Sequence, residues 1–348
     1  MRSRDKAGYV PSNLRGQLHP RIECVAARSC PKRRAVRSKS DVMKTETNGG
    51  IISATGSHAS QSNSMTRRSF VRGAGFLATA IVLGACSDAL ATALEAPVIE
   101  YVDIRMPRLP QAFDGFRIVQ LSDLHYDPFL DGSIIQSATA KTNELKPDLV
   151  VLTGDYVTRH KVYGRRHSAR GAEPCGRLLQ EIQSRLGTFA VLGNHDVMTD
   201  ANFVTAALES NGVHVLRNVS VPFERERTRI WLAGVDDVFA KHNDLDRTLK
   251  NIPRGESTIV LVHEPDYADV TSRKEVDLQL SGHSHGGQVR LPFIGAPYLP
   301  PLARKYPWGL RKVRNLLVYT NRGLGTIGIP LRLNCPPEIT VVTLRVLA

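Results

Sequence analysis

Cysteine is scarce in this chain and badly placed for a covalent framework. Of the five in 348 residues, Cys24, Cys30 and Cys86 fall in the first quarter, which leaves only Cys175 and Cys335 for the remainder. Two cysteines so far apart form one disulfide or none, and the sequence does not decide between them. Long apolar runs are missing as well. The stretch Gly73 to Ala85 is uncharged but Gly- and Ala-rich, and its dozen or so residues are about two thirds of what a membrane-spanning helix needs. A surplus of charge is also absent where a fold would use it. The formal net charge is +13, yet residues 1–72 hold 15 Lys and Arg against 4 Asp and Glu, leaving 31 against 29 for everything after them. The folded part is therefore nearly neutral overall, so the basic excess of the whole chain is no sign of nucleic-acid binding by the fold. What the chain does have is length and 42% apolar residues, enough for a sizeable core.

Residues 1–64 are rich in Arg, Ser and Gly, contain the cluster Lys32, Arg33 and Arg34, and show no apolar periodicity. That composition cannot bury a core, so a disordered leader is expected there, or an upstream extension with Met43 or Met65 as the true start. Residues 65–93 have the anatomy of an export signal. Thr66-Arg67-Arg68-Ser69-Phe70 precedes the short apolar stretch and resembles the twin-arginine signal, departing from its usual form at Val71 and Arg72. Leu83-Gly84-Ala85-Cys86 resembles a lipobox, in which Cys86 becomes the lipidated first residue, while Ala89-Leu90-Ala91 and Ala91-Thr92-Ala93 offer ordinary cleavage sites. The expectation is transfer by the twin-arginine machinery to the periplasm, cell wall or outer membrane face, with or without a lipid anchor.

From Pro97 onward short apolar runs alternate with helical segments. Phe116–Leu121, Leu149–Leu152, Phe189–Leu192, Ile230–Val235, Ile259–Val262, Leu278–Leu280 and Ile339–Val346 read as strands; Ser133–Leu145, Gly176–Leu186 and Asn202–Ser210 read as helices. This alternation predicts an α/β layered domain over residues 97–348. Several strands run into a residue able to bind metal: Asp123 and His125, Asp155, Asn194 and His195 with Asp196, His263, and His283 with His285. In α/β sheets the carboxyl ends of strands converge, so residues remote in sequence meet there. Histidines at i and i+2 on an extended segment point to opposite faces. The glycines around Ser281-Gly282-His283-Ser284-His285-Gly286-Gly287 permit a turn that aims both into one cavity.

In order, Asp-x-His, Gly-Asp, Gly-Asn-His-Asp, His and Gly-His-x-His resemble the calcineurin-like metallophosphoesterases over the stretch from Val98 to Val346. Asp123-Leu124-His125, residues 282–288 and Asn321-Arg322-Gly323-Leu324-Gly325 look like its bacterial exported or membrane-associated branch, often grouped with UDP-2,3-diacylglucosamine hydrolases. The resemblance implies a four-layer α/β/β/α sandwich of two mixed sheets and two divalent ions, manganese, zinc or iron. Asp123, His125 and His285 would hold one, Asn194, His263 and His283 the other, and Asp155 would bridge. Such a pair, about 3.5–4 Å apart, generates a hydroxide nucleophile near neutral pH. His195 would face the leaving oxygen, with Asp196 orienting its ring. The expected activity is hydrolysis of phosphate esters by an exported phosphodiesterase. The alternatives are a UDP-2,3-diacylglucosamine hydrolase of lipid A biosynthesis, whose substrate is made on the side of the membrane that export leaves, and an inactive binding module, which usually loses ligands. Protein phosphatase is disfavoured because Thr158 and His160 stand where that signature has Asp and Gly. The insert Thr158–Arg170 carries Arg159, Lys161, Arg165 and Arg166, expected to form a solvated loop or an anion-binding edge contacting substrate or an acidic membrane surface.

Overall fold

A computed structural model describes residues 96–126, 132–159 and 164–347. The leader, the signal segment with Arg67 and Arg68, Cys86, and part of the basic insert lie outside the described residues, as does the side chain of Arg166. Among those described, the elements run β1 (Val98–Met106), β2 (Arg117–Leu121), α1 (Ser133–Glu144), β3 (Leu149–Leu152), α2 (Arg165–Ala169), α3 (Ala172–Leu179), β4 (Thr188–Ala190), α4 (Asn194–Glu209), β5 (Val213–Val215), β6 (Val219–Arg225), β7 (Thr228–Gly234), α5 (Leu245–Leu249), β8 (Ser257–Leu261), α6 (Ala268–Thr271), β9 (Leu278–Ser281), β10 (Gly309–Val313), β11 (Leu316–Thr320) and β12 (Glu338–Val346).

The strands form two six-stranded mixed sheets, ordered β1-β12-β2-β3-β4-β5 and β10-β11-β9-β8-β7-β6. In the first, β2 to β5 are parallel and β12 runs antiparallel to β2. In the second, β7, β8, β9 and β11 are parallel, with antiparallel partners at both edges. Strand side chains alternate between faces, so adjacent apolar residues serve different cores. Ile118 and Val151 meet Ile259, Leu261, Leu278 and Leu280 between the sheets, while Val119 and Val150 meet Ile135, Leu179 and Leu208 of the helices outside the first sheet. A third cluster joins Ala233 and Val260 to Leu245 and Ala268 outside the second sheet. The result is the four-layer α/β/β/α sandwich. Burial on both faces is why β3 and β8 read as continuous rather than alternating apolar runs.

The pattern missed β1, β5, β6, β10 and β11, of which β11 is buried and interior, and two of the others share a reason. The edge strands β6 and β10, with the sequences VSVPFER and GLRKV, are largely solvated and carry no apolar run. Pro222 is tolerated on β6 because an edge strand can do without one ladder donor. Two helices are displaced from expectation. The segment expected at Gly176–Leu186 is helical at Ala172–Leu179, beginning earlier because Pro174 fits a first turn, where an N–H has no intrahelical partner to lose. The one expected at Asn202–Ser210 begins at Asn194 and is interrupted only at Asp200. Asp196, at the third helical position, accepts the backbone N–H of Gly193 and so caps this earlier start. Cys175 and Cys335 are both buried and unpaired, so no disulfide joins them. No helix among the described residues is long and apolar enough to cross a membrane.

Candidate metal centre and active site

β2, β3, β4, β8 and β9 all end on one side of the sandwich, and Gln120 ties the two sheets together there. Its Nε2 donates to Thr153 Oγ1 (3.0 Å) and to the Ser281 carbonyl (2.9 Å). Immediately beyond these ends the backbone enters the left-handed region at Asp123 (φ 48°), His125 (46°), Asp155 (58°), His283 (67°) and His285 (51°). Each such residue costs on the order of 1 kcal/mol, and five together mark a site where position outranks local comfort. The same conformation resolves the i, i+2 problem: with both histidines left-handed, the pleat is broken and the two rings reach one cavity.

Two triads result, Asp123 with His125 and His285, and Asp155 with His263 and His283, their ligand-capable atoms lying within 4.8 Å of one another in each. Asp155 lies between them, its Oδ2 3.5 Å from His125 Nε2 and 3.3 Å from His263 Nε2. His285 Nε2 is 3.3 Å from Asp123 Oδ1 and 3.0 Å from His125 Nε2. Asn194 is buried with Oδ1 unpartnered and lines the same cleft. A third grouping adds His195 to His125 and Asp155, nearer the cluster than a residue facing only substrate would be.

The hydrogen bonds identify which nitrogens carry protons. His263 Nδ1 sits 2.6 Å from the Thr153 carbonyl and His283 Nε2 2.9 Å from the Pro301 carbonyl. A carbonyl only accepts, so both of those nitrogens are donors. The remaining nitrogens, His263 Nε2 and His283 Nδ1, then face each other at 3.2 Å as two lone pairs. That contact is stable only with a cation between them or on one of them. Burial acts to lower His263, but the Asp155 carboxylate beside it outweighs this and holds its pKa well above the usual imidazole value. Without metal, a proton therefore fills the position that suits a divalent ion. Burial brings His283 and His285 down to about 4 and also lowers His125, so these three are neutral at pH 7, the form that ligates metal. The donor set of imidazoles, carboxylates and one amide oxygen fits divalent transition metals.

Asp196 does not orient His195. Its Oδ2 accepts from the N–H groups of Asp155 (2.8 Å) and Gly193 (2.9 Å), and its Oδ1 from those of Tyr156 (2.8 Å) and Val157 (3.2 Å). All its acceptor sites are engaged by backbone, so it shapes the loop that presents Asp155. The His195 ring is held instead by Arg159, whose backbone N–H donates to Nδ1 at 2.9 Å. Neutral His195 consequently carries its proton on Nε2, and the ring lines the cleft. Glycine at 193 and 282 is required by proximity rather than by a turn. A Cβ at Gly193 would collide with the Asp155 carboxylate, and one at Gly282 with Ser122 Oγ and the Asp123 carboxylate. Of the basic insert, residues 165–169 form a helix rather than a loop. Arg165 donates to the Thr199 carbonyl and Arg159 reaches the Met198 sulfur, so neither guanidinium lines the cleft.

Sequence reasoning gave no role to Arg332. It is fully buried and donates to the carbonyls of Arg322, Gly323, Gly325 and Cys335. The 321–325 run it grips holds the strand-end loop in turn, since Leu324 N–H donates to the Ser122 carbonyl (3.0 Å) and Gly325 N–H to that of Asp123 (2.7 Å). The Gly-x-Gly spacing was the one legible trace of this contact.

A family model described as calcineurin-like phosphoesterase matches residues 116–287, the segment that carries both triads. The uncharacterized metallophosphoesterase YkuE of Bacillus subtilis (strain 168) is 36% identical over 289 residues, covering 81% of this chain and 98% of that protein. The chain belongs to the calcineurin-like phosphoesterase family. Phosphodiesterase YaeI of Escherichia coli (strain K12) is 36% identical to this phosphoesterase, across 66% of this chain and 82% of its own. The transmembrane protein with metallophosphoesterase domain of Danio rerio is 35% identical across 74% of this chain and 59% of its own. The phosphoesterase is thus a phosphoester hydrolase with His and Asp clusters able to bind metal.

Proposed function

We propose that this hydrolase is an exported phosphodiesterase that works with two divalent ions. Asp123, His125 and His285 would hold one, and Asn194, His263 and His283 the other, with Asp155 placed between the two sets. The observation that carries this reading is the pair of triads facing each other across one carboxylate, with lone pairs directed at each other inside. Bound there, divalent ions supply positive charge for the phosphate oxygens and acidify water.

The chain's own groups do the rest. Asp155 is kept ionised despite burial, chiefly by His263 and also by His195 and His125. Its second oxygen accepts the His195 backbone N–H at 2.8 Å, which fixes the carboxylate between the triads. His195 holds a proton at Nε2, where it can be given to the departing alkoxide, and the Arg159 N–H keeps the ring in that tautomer. Export rests on the sequence Thr66-Arg67-Arg68-Ser69-Phe70 and its short apolar stretch. The diester preference is supported by the relative named as a phosphodiesterase.

The test is one chelator-stripped preparation, reloaded separately with manganese, zinc and iron, against bis(4-nitrophenyl) phosphate, 4-nitrophenyl phosphate and UDP-2,3-diacylglucosamine. Metal-dependent turnover of the diester ahead of the monoester is expected. Hydrolysis of UDP-2,3-diacylglucosamine alone would transfer the assignment to lipid A biosynthesis, and no turnover with any metal would refute the enzyme.

A further inference from the structure

The cleft over the triads, about 690 Å³, is walled largely by apolar side chains, among them Tyr298, Ile327, Ile329 and Leu331. Phosphate chemistry alone does not call for such a wall. It continues outward into a rim whose apolar residues face water: Phe293 is fully exposed, Ile294 73%, Tyr298 69% and Ile329 65%. Large apolar side chains left this exposed beside a cleft are the kind of surface that marks an interaction site. The tip is a built feature. Leu291 and Gly295 exchange backbone hydrogen bonds at 2.8 and 2.9 Å, which closes a tight loop with Phe293 at its apex in the left-handed conformation (φ 65°) that bulky L residues avoid. Gln288 joins this loop to the opposite side of the rim, its Nε2 donating to the carbonyls of Ile327 and Ile329 and its Oε1 accepting the Ile327 N–H. Because Gln288 lies three residues after His285, the rim and the candidate metal loop are mechanically continuous.

Charge indicates what the rim meets. Residues 278–337 contain no Asp or Glu and eight Lys and Arg, whereas the rest of residues 73–348 holds 23 Lys and Arg against 29 Asp and Glu. Lys305 and Arg322 have carboxylate partners and Arg332 is buried. Arg290, Arg304, Arg311, Lys312 and Arg314 have none among the described residues. Arg290 adjoins the apolar tip and stacks on Trp308 at 3.9 Å, next to the strand that carries Arg311 and Lys312. Exposed apolar side chains flanked by unpaired cations are complementary to an anionic lipid surface, where chains bury the former and headgroups attract the latter.

We propose that the 291–298 and 327–331 rim docks this enzyme onto an anionic lipid surface and that the cleft behind it receives the apolar chain of a lipid phosphodiester. The proposal rests on the hydrolase reading of the same site. Hydrolysis breaks one P–O bond, places the water oxygen on phosphorus and sends a water proton to the departing alcohol, so no co-reactant is needed.

The experiment uses the full chain, so that the basic leader contributes equally to both proteins compared. Wild type and a Phe293→Asp/Ile294→Asp variant are partitioned on vesicles of phosphatidylcholine with 30% phosphatidylglycerol, roughly the anionic content that gives a substantial surface potential. Both are also assayed with bis(4-nitrophenyl) phosphate and with hexadecyl 4-nitrophenyl phosphate presented in those vesicles. The variant should partition at least ~10-fold more weakly and lose a similar factor in kcat/KM for the long-chain diester, while keeping its turnover of the small one, which also shows that it is folded. Equal partitioning of the two proteins overturns the proposal. So does finding that wild type ignores vesicles and instead forms a dimer that the variant cannot, since the rim would then be a self-association surface. Failure of wild type to hydrolyse the small diester refutes the active-site reading itself, whatever the vesicles show.

Discussion

Replacing Asp196 with Asn separates two roles for this carboxylate that differ sharply in consequence. A residue that only orients a neighbouring imidazole can be changed at the expense of turnover. In the fold, however, Asp196 is fully buried and accepts four backbone N–H bonds, from Asp155, Tyr156, Val157 and Gly193. Asparagine keeps one oxygen and can satisfy two of these donors; its amide nitrogen confronts the other two, donor against donor. Burial and the Asp155 charge push Asp196 up to about 8, so the comparison is made at pH 9, where the carboxylate is ionised; hydrogen bonds to a charged acceptor contribute about 1.5–3 kcal/mol each, and two lost bonds predict a destabilisation of about 3–6 kcal/mol. That is a large part of the roughly 5–15 kcal/mol a folded domain has in hand. Urea unfolding followed by circular dichroism on chelator-treated Asp196→Asn should show a midpoint far below wild type, accompanied by weaker metal binding because the loop presenting Asp155 loosens. His195→Ala should leave the midpoint nearly unchanged. If Asp196→Asn unfolds with wild-type midpoint and loses only kcat, the scaffold role is wrong and the ring-orienting role stands.

Three further outcomes are expected. Asp155→Asn should lose metal from both triads by elemental analysis, whereas His195→Ala should retain metal and lose roughly 100- to 10,000-fold in turnover, the usual contribution of a general acid; parallel metal loss in both variants would refute the division of roles. Between pH 6.5 and 4 the metal-free protein should lose more thermal stability than a His283→Gln variant, a comparison that cancels the buried carboxylates Asp196 and Glu264, whose raised pKa values act with the opposite sign there. Burial holds His283 and His285 at about 4 in the fold while the unfolded chain takes up protons near 6.5, so each contributes up to about 3 kcal/mol above that window that is lost within it. His263 is raised and has the opposite sign, its contribution being full below 6.5 and lost only as pH rises through its folded value, so it does not offset the acid fall. A His283→Gln variant with the same acid profile as wild type would contradict this assignment. Changing Arg67 and Arg68 together to Lys should block export of the folded chain in fractionation against a cytoplasmic marker, and unchanged export would remove the twin-arginine reading.

The parts of this protein that the sequence by itself determined are those encoded within a few residues of one another. Apolar runs of three to six residues gave β2, β3, β4, β7, β8 and β9, strands with mostly buried side chains, and the motifs following five of these runs gave the residues at their ends, although the buried strand β11 was missed. Their order along the chain sufficed to identify the family. The same reasoning fails where a residue's neighbours are remote in sequence. Asp196 stands beside His195 in the chain, yet its partners lie in the Asp155 loop some forty residues earlier, and the imidazole is held by Arg159 instead. Arg332 and the apolar rim are further cases, since an isolated Arg or a Pro-Phe-Ile tripeptide has no pattern that announces burial or exposure. Which nitrogen of His263 or His283 carries its proton was likewise decided only by the carbonyls of Thr153 and Pro301 that the fold brings against them. Backbone propensity and hydrophobic period act locally and are written in the sequence, whereas hydrogen-bond partners and the fields that shift pKa values act through space, and exist only once two sheets have packed and aligned their strand ends.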